Sequence, residues 1–122
     1  MSHTTASVIK FCGDKNIIED AHYKELSNFI ELVNQWFDVH NSSRKLSKRG
    51  KNAYGVNLAV QDAILDKMTH VMTHLRATNR RTLLPFQKGV IVRNNSLKGL
   101  YCYLRKHYDL EYIITRRLNQ DI

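Results

Sequence analysis

The sequence has little of the material from which disulfides, metal sites and membrane spans are built. It contains one proline and two cysteines in 122 residues. Cys12 and Cys102 lack the close spacing of a metal-binding pair, so we expect no metal and reduced cysteines, as is typical of an intracellular protein. No run of about 18 apolar residues is present, which predicts no contact with the membrane interior. Residues 1–14 also lack the features of a secretory signal.

Acidic residues are scarce relative to basic ones. The chain has 19 Lys and Arg against 11 Asp and Glu, which gives a net charge of +8. A surface of this charge favours polyanions such as nucleic acids, although the same charge is also compatible with a domain that it merely keeps soluble. With 43% hydrophobic residues the chain can form a core, and its length is typical of one domain.

Apolar residues recur at helical spacing in four stretches, residues 4–12, 21–41, 58–78 and 97–108. The second is the clearest in the N-terminal half and carries Ile30, Val33, Trp36 and Phe37 on its apolar stripe. Asn57 is predicted to cap the third helix, residues 94–96 are predicted to cap the fourth, and Arg80-Arg81 are expected to close the third. The predicted fold class is therefore all-α, with about four helices and a short extended C-terminal segment.

That extended segment is residues 110–115, LEYIIT, which is rich in β-branched and aromatic residues and too short for a helix. A single strand cannot satisfy its own backbone groups. We therefore expect it to pair with something outside this chain or to remain exposed.

Residues 42–55, between the second and third predicted helices, read as a solvated, mobile loop. A second interpretation is that they bind phosphates or act as a nuclear-import signal. The loop contains five basic residues: Arg44, Lys45, Lys48, Arg49 and Lys51.

No complete catalytic set is visible, since the sequence has no Walker-type glycine loop, nucleophile elbow or zinc-ligand spacing. Asp38 is the carboxylate of most interest, because an acid near a helix end is disfavoured by the helix dipole unless it has a partner. It follows Trp36 and Phe37. It is either an exposed carboxylate without a role or an acceptor for the ring and exocyclic N–H groups of guanine, with Phe37 stacked on the base.

Three stretches resemble the P element transposase family, which includes THAP-domain relatives: SHTTASVIKFC, FIELVNQWFDVHNSSR and IITRRLNQD. The resemblance implies that residues 1–115 are an N-terminally truncated GTP-binding insertion domain. Residues 116–122 would be the truncated start of the C-terminal RNase H-like segment of that family.

The resemblance also implies a set of nucleotide-binding residues. Phe37 would stack on guanine, Asp38 would read the edge of the base, and Asn41 would lie close by. Asp121 would approach the nucleotide, and Ser2 would contribute to the site. The GTP would serve assembly of the transposase on its DNA ends and would not be hydrolysed for energy.

One departure from the family affects the expected activity. The acidic catalytic residue that follows the NQD aspartate in the family would lie beyond Ile122, so we expect a catalytically incomplete, transposon-derived fragment that is not an enzyme and acts in the nucleus or the cytoplasm. Two alternatives stay open. One is a basic helical module that binds nucleic acid without reading sequence, through residues 44–51 and Arg80-Arg81. The other is an interaction fragment whose strand pairs with a full-length transposase.

Overall fold

The computed structural model describes residues 23–47, 51–77, 79–116 and 118. These residues form three helices, α1 (Tyr23–Val39), α2 (Leu58–His74) and α3 (Pro85–Tyr108). The described part of the chain has no sheet, only an isolated antiparallel bridge between Tyr54 and Ile113. The all-α prediction is confirmed, and the helix predicted at residues 4–12 lies outside the described residues. None of the described helices combines the length and apolarity needed to cross a bilayer.

Helix α2 packs against both other helices and runs antiparallel to α3. Gln87, in the first turn of α3, donates hydrogen bonds to the carbonyls of Met72 and Leu75 at the end of α2. Lys98, farther along α3, forms an ion pair with Asp66 in the middle of α2. The core between the helices consists of eleven buried side chains: Val33, Trp36, Val39, Tyr54, Leu65, Met68, Met72, Val90, Leu97, Tyr101 and Ile113.

The predicted apolar stripe of α1 is largely confirmed. Val33 and Trp36 are buried, and Phe37 is half-buried against the core. Ile30 was predicted on the same stripe but is 48% exposed, so the buried face of α1 is narrower than the sequence pattern indicates.

The helix boundaries differ from the prediction in two places. Helix α3 begins at Pro85, not near residues 94–96, because proline suits the first helical position and the Gln87 side chain accepts a hydrogen bond from the backbone N–H of Leu84. Helix α2 ends at His74, where Leu75 turns extended, so Arg80 and Arg81 lie beyond its end. Asn57 precedes α2 as predicted, but its side chain makes no capping hydrogen bond.

Asn94, predicted as a cap, is instead a buried bridge between all three helices. Its Oδ1 accepts a hydrogen bond from Trp36 Nε1 at 2.7 Å and lies 2.9 Å from His40 Nε2. Its Nδ2 donates to the carbonyl of Leu65 and to the hydroxyl of Thr69. Because Asn94 Oδ1 can only accept, His40 carries its proton on Nε2. This one amide therefore satisfies polar groups of both neighbouring helices.

The extended C-terminal segment pairs within the chain, so the expectation that it is exposed or pairs elsewhere is wrong. Ile113 and Tyr54 exchange two backbone hydrogen bonds of 2.8 and 3.0 Å. Two residues on, Thr115 bonds Ser42 through both backbone and side chain. The partner is the loop after α1, which was predicted to be solvated but places Ala53 and Tyr54 in the interior.

The Asn94 bridge predicts a large loss of stability in the nearly isosteric variant Asn94→Leu. The change leaves the Trp36 indole N–H and the Thr69 hydroxyl without their partner in the interior. We expect the free energy of unfolding to fall by about 3 kcal/mol in urea denaturation at pH 7. Asn95→Leu, at the exposed next position, is the control and should change stability by less than about 0.5 kcal/mol. Equal stability of the two variants would contradict the bridging role.

His40 predicts an acid-dependent loss of stability. Burial lowers its pKa from 6.5 to about 4, against a smaller opposing effect of the hydrogen bond to Asn94. Between pH 6.5 and about 4 the unfolded chain therefore binds a proton that the folded chain excludes. As the pH falls through this range, the free energy of unfolding should decrease by roughly 3 kcal/mol. Below about pH 4 the effect of His40 should level off.

This pH dependence is measured by urea denaturation at a series of pH values for the wild type, His40→Gln and His107→Gln. His107 is exposed on α3, so its variant should keep the wild-type slope. His40→Gln should flatten the slope between pH 6.5 and 4. Equal slopes in the two variants would show that His40 is not the titrating group.

Candidate functional site

Three of the five predicted site residues lie together at the C-terminal end of α1. Phe37 and Asp38 occupy its last turn, and Asn41 lies in the turn that follows, where its backbone N–H donates to the carbonyl of Asp38 at 3.3 Å. All three are half-buried. Ser2 and Asp121, the other two predicted residues, lie outside the described residues. The end of α1 is therefore where a site can be built from the described chain.

Lys51, from the loop that faces this helix end, contacts both Phe37 and Asp38. Its Nζ lies 3.6 Å from Asp38 Oδ1 and 5.9 Å from the centroid of the Phe37 ring. The side chains of Lys51 and Asp38 are 40% and 37% exposed, so this ion pair is near the surface and weak. Neighbouring residues on a helix point about 100° apart, yet here a single cation borders both.

A small cleft of about 120 Å³ beside Asp38 lies between the end of α1 and the start of α2. Its walls carry several amide side chains that can both donate and accept hydrogen bonds. The lining residues are Gln35, Asp38, Val39, Asn52, Asn57, Val60, Gln61 and Ile64.

Gln61 holds the loop that forms the second wall of this cleft. Its Oε1 accepts hydrogen bonds from the backbone N–H groups of Gly55 and Asn57, and its Nε2 donates to the carbonyl of Ala53 at 3.0 Å. Gly55 adopts a φ of 110° and lies so close to Tyr101 and the Glu111 carbonyl that a Cβ would clash. The loop conformation next to the site is therefore fixed by α2 and by the C-terminal segment.

Tyr54 anchors the same loop in the core. Its hydroxyl donates to the carboxylate of Asp62, and its ring meets that of Tyr101 edge to face at 5.1 Å between centroids. Burial, reinforced by the bond to Asp62, raises the pKa of Tyr54, so it stays a donor. A lone tyrosine inside a basic, glycine-containing loop is the one sequence signal that could have identified this anchor.

The C-terminal segment closes against the turn that contains Asn41. Thr115 Oγ1 donates to the carbonyl of Val39 at 2.8 Å and accepts from the backbone N–H of Ser42 at 2.9 Å. The backbone N–H of Arg116 then donates to the carbonyl of Ser42 at 2.9 Å. Ser42 and Thr115 are 73 residues apart and both are buried, and no local sequence pattern predicts their contact.

A larger groove of about 570 Å³ lies between α1 and α2, toward the start of α1. Glu25 and Glu31 line it together with Phe29 and Leu32, and Lys67 is its basic residue. Two carboxylates against one ammonium make this groove a poor site for a phosphate-bearing ligand. In the part of the chain that the structure describes, no three potential metal-ligating side chains come together.

Comparison with known proteins relates the chain to one transposase. The Transposable element P transposase of Drosophila melanogaster is 43% identical over 124 residues, and the alignment covers 99% of this chain and 16% of that protein. No family model matches the sequence.

A solved structure gives the same relationship through the fold. The Drosophila P element transposase strand transfer complex superposes with a TM-score of 0.75 at 39% sequence identity, covering 95% of this chain and 26% of that one. This chain thus spans about a sixth of the curated relative. By sequence and by fold, it is homologous to one segment of the P element transposase.

Proposed function

We propose that this chain is a GTP-binding insertion domain of the P element transposase type, with guanine bound at the end of α1. In this role Phe37 stacks on the base, Asp38 accepts its ring and exocyclic N–H groups, and Asn41 lies beside it. Ser2 and Asp121 contribute from the two ends of the sequence. The nucleotide supports assembly with transposase DNA in the nucleus, and this chain contributes no bond-breaking chemistry.

The observation that carries this proposal is the shared contact of Lys51 with Phe37 and Asp38. Because one atom touches the carboxylate and faces the ring, the two side chains border a common space. A flat base stacked on the ring of Phe37 and bonded at its edge by Asp38 needs the same arrangement. Phe37 also packs against the core, which restricts the orientations open to its ring.

The chemistry of Asp38 favours guanine over adenine. An ionised carboxylate has two acceptor oxygens and no donor, so it matches an edge with two adjacent N–H groups. Guanine presents such an edge through N1–H and the exocyclic amine. Adenine presents an acceptor beside its amine and leaves one carboxylate oxygen unpaired and repelled.

The course of the C-terminal segment supports a role for Asp121. Arg116 is held beside Ser42 by a backbone hydrogen bond of 2.9 Å, one residue from Asn41. Asp121 follows Arg116 by five residues, a distance of at most roughly 18 Å in extended chain. The covalent chain therefore allows this aspartate to meet a nucleotide bound at the end of α1.

The proposal predicts a change of base specificity in Asp38→Asn. An asparagine offers one acceptor and one donor, so it matches the edge of xanthine, which carries N1–H beside a carbonyl oxygen. We expect GTP affinity to fall by about 100-fold, or about 2.7 kcal/mol, and XTP affinity to rise, while ATP binds weakly to both proteins. Isothermal titration calorimetry with the three nucleotides measures this.

Asp66→Asn is the matched control, because Asp66 is an exposed carboxylate on α2 paired with Lys98. It should keep the wild-type preference for GTP. Equal binding of GTP and ATP to the wild type, or unchanged GTP affinity in Asp38→Asn, would refute the proposed guanine site.

A second candidate function is sequence-independent binding of nucleic acid, and the exposure of Arg80 and Arg81 favours it. These residues lie in the turn between α2 and α3, while Arg44 and Lys45 lie in the loop before α2. The two basic regions are separated by the length of α2, roughly 25 Å at 1.5 Å per residue. A duplex that contacts both would have to run along this helix.

This alternative predicts steeply salt-dependent binding to any duplex. The double variant Arg80→Gln/Arg81→Gln should reduce the slope of log K against log salt concentration by about two, measured by fluorescence anisotropy. Lys67→Gln/Lys106→Gln removes two charges from other exposed positions and should change the slope less. If both double variants have the same slope, the turn between α2 and α3 is not a phosphate-binding surface.

A further inference from the structure

We infer that Lys51 is a phosphate-responsive residue of the guanine site: its side chain lies where the base would stack and moves to the phosphates when GTP binds. This inference rests on the proposed function and adds to it a residue that selects nucleoside triphosphates over the bare nucleoside.

The Lys51 side chain lies in the space in which we place the base. Lys51 Nζ lies 3.6 Å from Asp38 Oδ1 and 5.9 Å from the Phe37 ring centroid. Phe37 packs against the core, and Lys51 lies over the face of its ring on which we place the base. A base cannot occupy this space while the ammonium group remains there. Binding of guanine therefore requires the Lys51 side chain to leave.

The contacts of Lys51 with Asp38 and Phe37 are weak. The side chains of Lys51 and Asp38 are both more than one third exposed. At that exposure an ion pair and a cation–π contact are each small interactions. Together the two contacts favour the position of the Lys51 side chain beside Phe37 and Asp38 by about tenfold or less. A nucleotide can displace Lys51 at this modest loss of affinity, which the bare nucleoside cannot recover.

The loop that carries Lys51 is anchored. The backbone next to Lys51 is held in place, because the Asn52 side chain accepts a hydrogen bond from the N–H of Ser47 at 2.9 Å and the N–H of Ala53 donates to the carbonyl of Lys45 at 3.0 Å. The displaced ammonium group therefore stays within one side-chain length of the site. A flexible lysine is a common phosphate ligand, acting as a point charge.

Lys45, the nearest other described lysine in the chain, has a different environment. Its Nζ lies 5.3 Å above the ring of Tyr112 in the C-terminal segment, away from Phe37 and Asp38. Lys45→Gln removes the same charge from the same loop without emptying the base position. It is therefore a matched control for the general effect of positive charge on GTP.

The test compares GTP with guanosine, which has no phosphates, in the wild type, Lys51→Gln, Lys51→Arg and Lys45→Gln. In Lys51→Gln we expect guanosine to bind about 3- to 10-fold more tightly and GTP about 3- to 10-fold more weakly, as measured by calorimetry. Lys51→Arg retains a cation and should keep GTP affinity within about threefold of the wild type. Lys45→Gln should leave guanosine affinity unchanged.

The outcomes separate this inference from the proposed function. Suppose that Asp38→Asn changes the preferred nucleotide from GTP to XTP, but Lys51→Gln changes the affinities for guanosine and GTP only as Lys45→Gln does. The guanine site then stands and the role of Lys51 is refuted. A parallel loss of guanosine and GTP affinity in Lys51→Gln also refutes it, because a displaced residue cannot support the base. If the folded wild type binds neither ligand, both the site and the role of Lys51 are refuted.

Discussion

The hydrogen bonds of the Asn94 amide determine how α1 is oriented against the rest of the molecule. Trp36 lies in α1 and His40 directly follows the last residue of that helix, four residues farther on, and both reach the same oxygen of Asn94. This fixes the rotation of α1 about its axis, because two donors one turn apart cannot meet a single acceptor in another orientation. Phe37 and Asp38 are thereby turned toward the loop before α2. A core polar group thus sets the direction of the proposed site.

The loop before α2 depends on a second set of contacts that involve residues distant in the chain. Tyr54 is held by Asp62 and Ile113, and Ser42 is held by Thr115. These bonds join the loop to α2 on one side and to the C-terminal segment on the other. The wall that faces Asp38 is consequently part of the folded structure and not a free linker.

The sequence predicted the helices well where packing follows periodicity and poorly where polar residues enter the core. Val33 and Trp36 followed the helical pattern and are buried. Asparagine is favoured at helix caps, so Asn94 suggested the start of a helix. Its tertiary hydrogen bonds instead place it in the middle of α3. Pro85 carried the correct signal for that start, but Gly89 and the polar run at residues 93–96 interrupt the apolar pattern.

The candidate site was predicted in part. The resemblance to the transposase family named Phe37, Asp38 and Asn41, and the structure brings these three together at one helix end. The sequence placed Lys51 only among the basic residues of a loop, because its contacts with Phe37 and Asp38 depend on how the loop folds back. The pairing of Ser42 with Thr115 was missed for the same reason, since it joins positions 73 residues apart.

The central claim is that the end of α1 and the loop facing it form one guanine-nucleotide site on a scaffold that Asn94 holds in place. Two-dimensional ¹H–¹⁵N NMR of the folded chain during titration with GTP and with ATP tests it most directly. The claim predicts that GTP shifts the amide signals of Asp38, Asn41 and Lys51, with ATP giving much smaller shifts and the Trp36 indole N–H signal changing little. Shifts that are equal for the two nucleotides, or that are confined to the turn around Arg80, would contradict it.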